Sequence, residues 1–482
     1  MIAEHRHLVD QGAKLVELRV DYIEGTVNLK RLLADRPSPV IITCRRQTDG
    51  GKWTGTEQDR QLLLRQAIVE GVEYIDLEED IAGAIPRFGK TQRIVSLHDF
   101  RRTPENLETI HARISGLNAD IVKLSTMANQ QRDNLRMLKL IQGSKIPTVG
   151  MCMGDIGTPS RILSGKFGAP FTYATFHHER VLAPGQLSFK QMTEVYRYDE
   201  LNADTVVYGV IADPIAHSLS PNIHNAALQQ AGLNAVYVPF RVPSADLDQF
   251  LADAKEYGIR GLSVTIPHKE AVLKHLTKID GAVKAVGAAN TLVFDGNDIY
   301  GYNTDYRAAM FSLEQAIGME ENGPNKLKGK NSLILGAGGA AKAIAAGLKR
   351  REANVVITNR TFERAQQLAD RLDCKAIEWQ HRHSAPADIL VNCTPVGMHP
   401  NVDETPYDKR ELRPSMIVFD TVYNPENTLL IKDARSRSCN IVTGVEMFVR
   451  QAALQFQLFT GRDAPPDLLR DALKRTIGPA KY

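Results

Sequence analysis

The chain has 482 residues, 43% of them hydrophobic and 24% charged, with a formal net charge of +3 at pH 7. That length exceeds what one core supports and suggests roughly two to four domains. The mixed signs form no basic stripe of the kind nucleic acid needs, and no apolar run approaches the roughly 18 residues that span a bilayer.

The chain opens on MIAEHRHLVDQG, charged and without the apolar stretch of a secretory signal. From there to about Met192, β-branched runs alternate with helical stretches. The runs are LVELRVD (15–21), VIITCR (40–45), YIDLE (74–78), RIVSLHD (93–99), DIVKLS (120–125), PTVGMCM (147–153) and FTYATF (171–176). Between them lie amphipathic segments such as DRQLLLRQAIVEG and DNLRMLKLIQG. Such alternation predicts parallel strands with crossover helices, and runs apolar on both faces suit a packed barrel interior. Seven strands fall one short of the eight that close a (β/α)8 barrel, and no strand precedes Ile2. Either the first strand is missing from this sequence or the sheet is open; we favour the former. Lys123, near the carboxyl end of its strand, reads either as a snorkelling side chain or as a Schiff-base nucleophile. The second role requires burial, so that a free amine exists at neutral pH. His98 ends the preceding strand, so the two side chains are expected to face one carbonyl substrate.

Residues 196–205 are polar and unpatterned, as in a linker. A second α/β unit begins at VVYGVIADP. It carries His217-Ser218-Leu219-Ser220-Pro221, Ser263-Val264-Thr265-Ile266-Pro267-His268-Lys269, Ala289-Asn290-Thr291 and Gly301-Tyr302-Asn303-Thr304-Asp305. Singly these are weak, since Ser-Pro and Asn-Thr pairs are usually turns and caps.

A third sheet is expected over roughly 328–444, with VVITNRT, ILVNCTP and IVFDTVYNP among its strands, followed by an amphipathic helix at EMFVRQAALQFQLF. Its first strand runs into Gly336-Ala337-Gly338-Gly339-Ala340-Ala341, which opens a helix. The first glycine permits the turn, the second admits a pyrophosphate, and the small Ala341 packs helix on strand. An NAD site would carry Asp or Glu about 20 residues on, at the end of the next strand. Here stand Asn359, Arg360 and Thr361, with Arg364 a turn later. A guanidinium binds a 2′-phosphate through charge-assisted bonds where a carboxylate would repel it, so the expected cofactor is NADP.

Taken together, the motifs of residues 205–482 resemble shikimate dehydrogenase. The resemblance implies that Lys269 and Asp305 flank the hydroxyl that loses hydride. It also implies that Ser218, Ser220, Thr265, Asn290, Tyr423 and Gln451 bind substrate, and that Thr394 and Gly444 line the nicotinamide side. Ser263 stands where that family usually has asparagine, which implies altered affinity. Residues 1–192 resemble type I 3-dehydroquinate dehydratase, which implies an imine at Lys123 and His98 as proton carrier. Glu17, Arg19, Arg45, Arg161 and Gln186 match that family's substrate binders. Asp49 replaces a glutamate that supports the histidine, and Leu182 replaces a serine.

The fold expected is α/β throughout: a barrel of (β/α)8 type over 1–195, a substrate domain over 205–325, a Rossmann-like NADP domain over 326–445, and C-terminal helices over 446–482 that pack back on the substrate domain. The implied function is bifunctional, passing 3-dehydroquinate through 3-dehydroshikimate to shikimate with NADPH. Alternatives are a back half acting on quinate, or a metabolite sensor built from inactive domains. The sensor predicts loss of the reactive residues, yet His98, Lys123, Lys269 and Asp305 are all present. Five scattered cysteines without a CxxC pair suit a reducing cytoplasm. His177-His178-Glu179 and His381-Arg382-His383 do not put two ligands on one helical face, so no metal is expected.

Overall fold

A computed structural model of the chain describes residues 1–176, 185–216, 218–320 and 323–477. His177-His178-Glu179, Leu182 and His217 lie outside the described residues. The chain divides into two compact units: Met1–Thr205 with Phe240–Tyr257, and Val206–Pro239 with Gly258–Tyr482.

The first unit holds one parallel sheet whose strands lie in chain order. They are β1 (Val16–Arg19), β2 (Val40–Thr43), β3 (Tyr74–Glu78), β4 (Gln92–Asp99), β5 (Ile121–Met127) and β6 (Thr148–Met153). Strand partners share a face in register, Ile94 with Ile121, Ser96 with Lys123, and His98 with Ser125. The inward face therefore changes character along the strands. At its start, Ile41, Ile94, Ile121 and Val149 make an apolar cluster. Two and four residues further on come Thr43 and Arg45, Ser96 and His98, Lys123 and Ser125. An apolar floor and a polar upper end are what a parallel β/α sheet uses to hold chemistry at its carboxyl edge.

One expected strand does not form. Residues 171–176 make a single isolated bridge, Thr175 to Ser188, and β1 and β6 remain the two edges of the sheet. The segment still packs inward: Phe171 stands edge-on to Tyr74 and to Tyr173, and both Phe171 and Tyr173 lie against the apolar floor. Side-chain burial rather than a ladder holds it, which is why its aromatic-rich sequence reads as a strand. Between it and β1 opens a cavity of 1190 Å³, lined by Glu17, Arg19, Tyr173 and Gln186 among others. The 196–205 stretch, which reads as a linker, is tied down as well, with Tyr196 buried and the Tyr198 hydroxyl 3.0 Å from that of Ser164. Helix Leu247–Tyr257 belongs to this unit too, and its Tyr257 hydroxyl donates to the Gln131 carbonyl at 2.9 Å.

The second unit carries two sheets. The first is mixed, ordered β10-β12-β11-β9-β7-β8, from β7 (Val206–Ala212), β8 (Ala235–Arg241), β9 (Ile259–Val264), β10 (Lys278–Ile279), β11 (Thr291–Asp295) and β12 (Asp298–Tyr302). The other is parallel and ordered β15-β14-β13-β16-β17-β18, from β13 (Asn331–Leu335), β14 (Asn354–Asn359), β15 (Lys375–Glu378), β16 (Ile389–Asn392), β17 (Ile417–Asp420) and β18 (Asn440–Val442). This is the doubly wound order, with its crevice at the carboxyl ends of β13 and β16. Helix Gly339–Arg350 lies close on this sheet because Ala341, Ala343, Ala345 and Ala346, all buried, leave nothing between the backbones. Helices Gly444–Thr460 and Pro466–Ile477 send Val449, Phe456, Leu469 and Leu473 into one core with Tyr208, Val210 and Ile223.

No helix among the described residues is long and apolar enough to cross a membrane. No group of three or more His, Cys, Asp or Glu among them is placed to hold a metal, and all five cysteines are free.

Candidate active sites

The inward face of the first sheet ends in interlocked charges. Lys123 Nζ donates to Asp76 Oδ2 at 2.8 Å, lies 3.8 Å from Glu17 Oε1, and sits 4.0 Å from the centre of the Tyr173 ring. Arg45 bridges Asp76 and Glu78, each at 2.8 Å, and donates to the Ser96 hydroxyl at 3.1 Å. Arg60, fully buried, closes the chain onto Glu78 and Glu57, both at 2.8 Å. Burial alone would push the Asp76 carboxyl up, but Arg45 and Lys123 outweigh it and hold the group far below the usual range. A buried network of this kind survives only because every charge has a partner.

Three groups on this side depart from that rule. Among the described residues, His98 Nδ1, the Tyr173 hydroxyl, and Nε and Nη2 of Arg161 are buried without a hydrogen-bond partner. Among the described residues Arg161 reaches only the Met151 sulfur, at 3.2 Å, and burial brings its guanidinium down to about 10. Burial, then the positive charges of Arg45 and Lys123, hold His98 well below the ordinary imidazole range. An unpaired buried donor costs about 1–3 kcal/mol. Several on one polar face fit a space that a polar ligand completes.

Of the residues singled out in the sequence, Glu17, Arg45, His98 and Lys123 come together here, and Arg161 points at Met151 on the same inward face. Gln186 lines the same cavity as Glu17. Arg19 is held by Asp21 through two bonds, at 2.9 and 2.7 Å. Asp49 does not support His98; its carboxylate is paired with Arg46, three residues earlier. Sequence reasoning missed Asp76 and Glu78, although their spacing in YIDLE puts them on the same face as Tyr74.

In the second unit, Lys269 Nζ donates to Asp305 Oδ2 at 2.6 Å, with 20% and 15% of the side chains exposed. The stem of Lys269 leans on the glycine loop: a methyl group built on Gly339 would lie 3.6 Å from its Cδ. Asn290 is almost fully buried and frames Asp305 rather than facing outward. Its Oδ1 accepts from the Thr304 N–H at 2.8 Å and its Nδ2 donates to the Thr304 hydroxyl at 2.9 Å. Asn303 caps the same helix, Thr304–Ala316. Ser218 and Thr265 are partly exposed, and Ser220 starts helix Ser220–Gln230. The Tyr423 ring lies tilted against that of Phe448, centroids 4.7 Å apart, and Gln451 donates to the Phe448 carbonyl at 3.2 Å. Ser263 belongs to the scaffold, since its hydroxyl accepts from Tyr237 at 2.6 Å and donates to Gln455 at 2.8 Å.

The loop after β13 has the form a dinucleotide needs. Gly336 adopts φ +113°, and a Cβ there would meet the Cys393 carbonyl oxygen at 2.9 Å. Beside Gly338 there is open space, and helix Gly339–Arg350 begins immediately after it, with Ala340 partly exposed and Ala341 buried. β14 ends in Asn359, which donates to the Thr361 carbonyl at 2.9 Å, so no carboxylate stands at the ribose position. Arg360 and Arg364 are exposed, and no ion pair engages either among the described residues. Backbone amides, a helix N-terminus and two free guanidinium groups fit a phosphorylated dinucleotide. At the far side, the Thr394 hydroxyl donates to Asn392 Oδ1 at 2.6 Å, and a Cβ on Gly444 would fall 2.3 Å from the Val422 carbonyl oxygen.

Comparison with known proteins gives separate matches along the chain. The model of type I 3-dehydroquinase matches residues 1–203. Models of the shikimate dehydrogenase substrate-binding domain, of shikimate/quinate 5-dehydrogenase and of the shikimate 5′-dehydrogenase C-terminal domain match 210–292, 319–420 and 444–474. The chain is 38% identical to the chloroplastic bifunctional 3-dehydroquinate dehydratase/shikimate dehydrogenase of Arabidopsis thaliana, over 97% of this chain and 81% of that one. It is 40% identical to the shikimate dehydrogenase (NADP(+)) of Methanothermobacter thermautotrophicus, over 58% of this chain and 99% of the relative. Among solved structures, a shikimate dehydrogenase in complex with NADP+ matches 58% of this chain and 98% of its own, with 37% identity and a TM-score of 0.53. A quinate dehydrogenase from Corynebacterium glutamicum in complex with NAD matches 56% and 99%, with 29% identity and a TM-score of 0.52.

Proposed function

We propose, for a chain that belongs to the bifunctional 3-dehydroquinate dehydratase/shikimate dehydrogenase family, that Lys123 carries the first reaction and that Lys269 with Asp305 carries the second. The front half is a lyase and the back half an NADP-dependent oxidoreductase. In the front half, the Lys123 amine adds to the ring ketone of 3-dehydroquinate and water leaves, giving an imine. The imine acidifies the neighbouring C–H, and His98 takes that proton, being neutral for the reasons given above. The same imidazolium then protonates the departing hydroxyl, and hydrolysis of the imine frees 3-dehydroshikimate. Arg161 is assigned the substrate carboxylate, since its guanidinium is buried and no carboxylate among the described residues pairs with it. Glu17, Arg19, Arg45 and Gln186 complete that pocket.

In the back half, NADPH supplies hydride to the carbonyl carbon of 3-dehydroshikimate. Lys269, hydrogen-bonded to Asp305, delivers a proton to the carbonyl oxygen, and in the reverse direction the pair removes it. Ser218, Ser220, Thr265, Tyr423 and Gln451 hold the ring substituents, and Asn290 fixes the turn that carries Asp305. Arg360, with Arg364, holds the 2′-phosphate, the Gly336–Ala341 loop takes the diphosphate, and Thr394 and Gly444 face the nicotinamide. These roles fall on a barrel-type unit over 1–195, a substrate domain over 205–325, a cofactor domain over 326–445 and the helices of 446–482. A cytoplasmic location is consistent with five free thiols.

The observation that carries this reading is the seat of Lys123, buried and beside Tyr173 and His98, whose hydroxyl and Nδ1 lack partners among the described residues. Borohydride added with 3-dehydroquinate should leave a covalent adduct on Lys123, read by mass spectrometry of the digested chain. A folded chain that gives none overturns the imine. A second reading, quinate as the back half's substrate, is favoured by the likeness to the quinate dehydrogenase. The hydroxyls of Ser218 and Ser220 favour shikimate, and parallel assays with the two acids decide.

A further inference from the structure

We propose that Asp420 is a positioning residue for the nicotinamide side of the dehydrogenase site, coupling its two walls through one buried carboxylate. This rests on the cofactor assignment made above. Asp420 ends β17 in register with Asn392 at the end of β16, and both side chains are fully buried. Asp420 Oδ1 accepts from Asn392 Nδ2 at 3.0 Å and from the Val422 N–H at 3.0 Å; Oδ2 accepts from the Thr428 hydroxyl at 2.6 Å. Asn392 then uses its other end, Oδ1, to accept from the Thr394 N–H at 3.0 Å and from the Thr394 hydroxyl at 2.6 Å. One wall, the turn at Thr394, is thus fixed through Asn392.

The other wall is fixed through Val422. Its carbonyl oxygen and that of Thr421 close on the Gly444 backbone so tightly that a Cβ would lie 2.3 and 2.7 Å from them. Thr421 is in turn tied back to the Asn392 carbonyl, by its N–H and its hydroxyl, both at 2.9 Å. One carboxylate therefore sets the spacing between Thr394 and Gly444.

With the Thr428 hydroxyl as donor, all three bonds are accepted by the carboxylate, and they favour its ionised form. Burial works the other way and raises this carboxyl to about 6, the bonds from Thr428, Val422 and Asn392 limiting the rise. No charge offsets it. The titratable neighbours are Cys393, whose thiol burial and Asp420 push up, and Tyr423, raised by burial. On the helix that follows Thr428, Asp433 pairs with Lys409 and Arg435 with Asn427. Protonation turns one acceptor oxygen into a hydroxyl, so the Thr428 bond must reverse its direction or the Asn392 bond is lost.

The test titrates the full chain with NADPH from pH 5 to 8 by fluorescence, with dehydratase turnover as the control for folding. The 2′-phosphate itself titrates near pH 6, so NADH, which lacks it, is run in parallel. Wild type is expected to bind both nucleotides more weakly as pH falls through about 6. Asp420→Asn should weaken both at pH 7.5, on the order of five- to tenfold, and remove the inflection seen with NADH. Thr428→Val, which takes away one bond to the carboxylate, should move that inflection upward, while Thr428→Ser leaves it in place. An Asp420→Asn chain that binds NADH with wild-type affinity and pH profile overturns the proposal, as does a Thr428→Val midpoint identical to wild type. A wild-type chain that binds neither nucleotide overturns the cofactor assignment as well.

Discussion

Lys123 and Lys269 are the two reactive amines proposed here, and their surroundings differ in kind. Lys123 is 7% exposed and belongs to a dry lattice of charges that runs from Glu17 through Asp76, Arg45 and Glu78 to Arg60. Lys269 is 20% exposed, has one charged partner among the described residues, and rests its stem beside an open glycine loop. The chemistry accounts for the contrast. A nucleophile that becomes an imine must meet its substrate away from water, which would hydrolyse the intermediate early. A proton relay must exchange with solvent and leave a face open for a separate cofactor. On the proposed assignments the same side chain serves both tasks because its environment differs.

Removing each amine sharpens that contrast, and the larger loss is expected in front. Lys123→Ala should lower dehydratase kcat by about 10⁴-fold or more, since the covalent route is lost altogether. The dehydrogenase activity of the same molecule should stay at wild-type level, and loss of both would mean misfolding. Lys269→Ala is expected to lower shikimate oxidation by about 10²–10⁴-fold. Its NADPH affinity, read by titration, should stay within about twofold, because Lys269 meets the reacting oxygen rather than the phosphates. A collapse of NADPH binding in that variant would break the division of roles.

The sequence made the two sites legible to different depths. The glycine loop and the arginine that follows β14 could be read directly, because backbone geometry and phosphate charge constrain a few adjacent residues. Lys123 and His98 were visible as polar residues at the ends of apolar runs. Asp76 and Glu78 were not, because a charged pair inside a strand looks like a solvated face until its neighbours' parity puts it inward. The strand expected at 171–176 failed for a related reason. Aromatic alternation reports burial on one side, and Phe171 and Tyr173 are half-buried there without a partner strand along most of the segment. The loss of the Asp49–His98 contact was unreadable too, since Arg46 captures the shorter carboxylate locally.

Arg161 tests whether the front site trades stability for binding. Its folded pKa of about 10, against 12.5 for the free group, means the unfolded chain holds that proton more tightly. Stability is therefore lowered at every pH below about 10 and recovers only as pH rises through the interval between the two values. At 1.36 kcal/mol per unit the penalty is of order 3 kcal/mol, an upper figure that local relaxation reduces. Arg161→Met should accordingly raise the denaturation free energy at pH 7 by about 1–3 kcal/mol. Dehydratase KM should rise by roughly 10²-fold, as expected for losing a charge-assisted anchor. A variant that is less stable, with unchanged KM, would make Arg161 an ordinary structural group.

The smallest effect is expected at Arg360, and it bears on what separates the two halves most plainly, the need of only one for a second ligand. Arg360 and Arg364 are exposed and unpaired among the described residues, so each contributes a screened, solvent-facing contact rather than a buried one. Arg360→Ala should weaken NADPH by about tenfold and NADH by less than about twofold, because only NADPH carries the 2′-phosphate. The ratio of the two dissociation constants matters more than either alone. Equal weakening of both would mean that the guanidinium supports the loop after β14 and not the phosphate. The gap should narrow in 0.5 M salt, since a contact in water is screened there. Arg161, with no solvent around it, should show no such salt dependence in the front site.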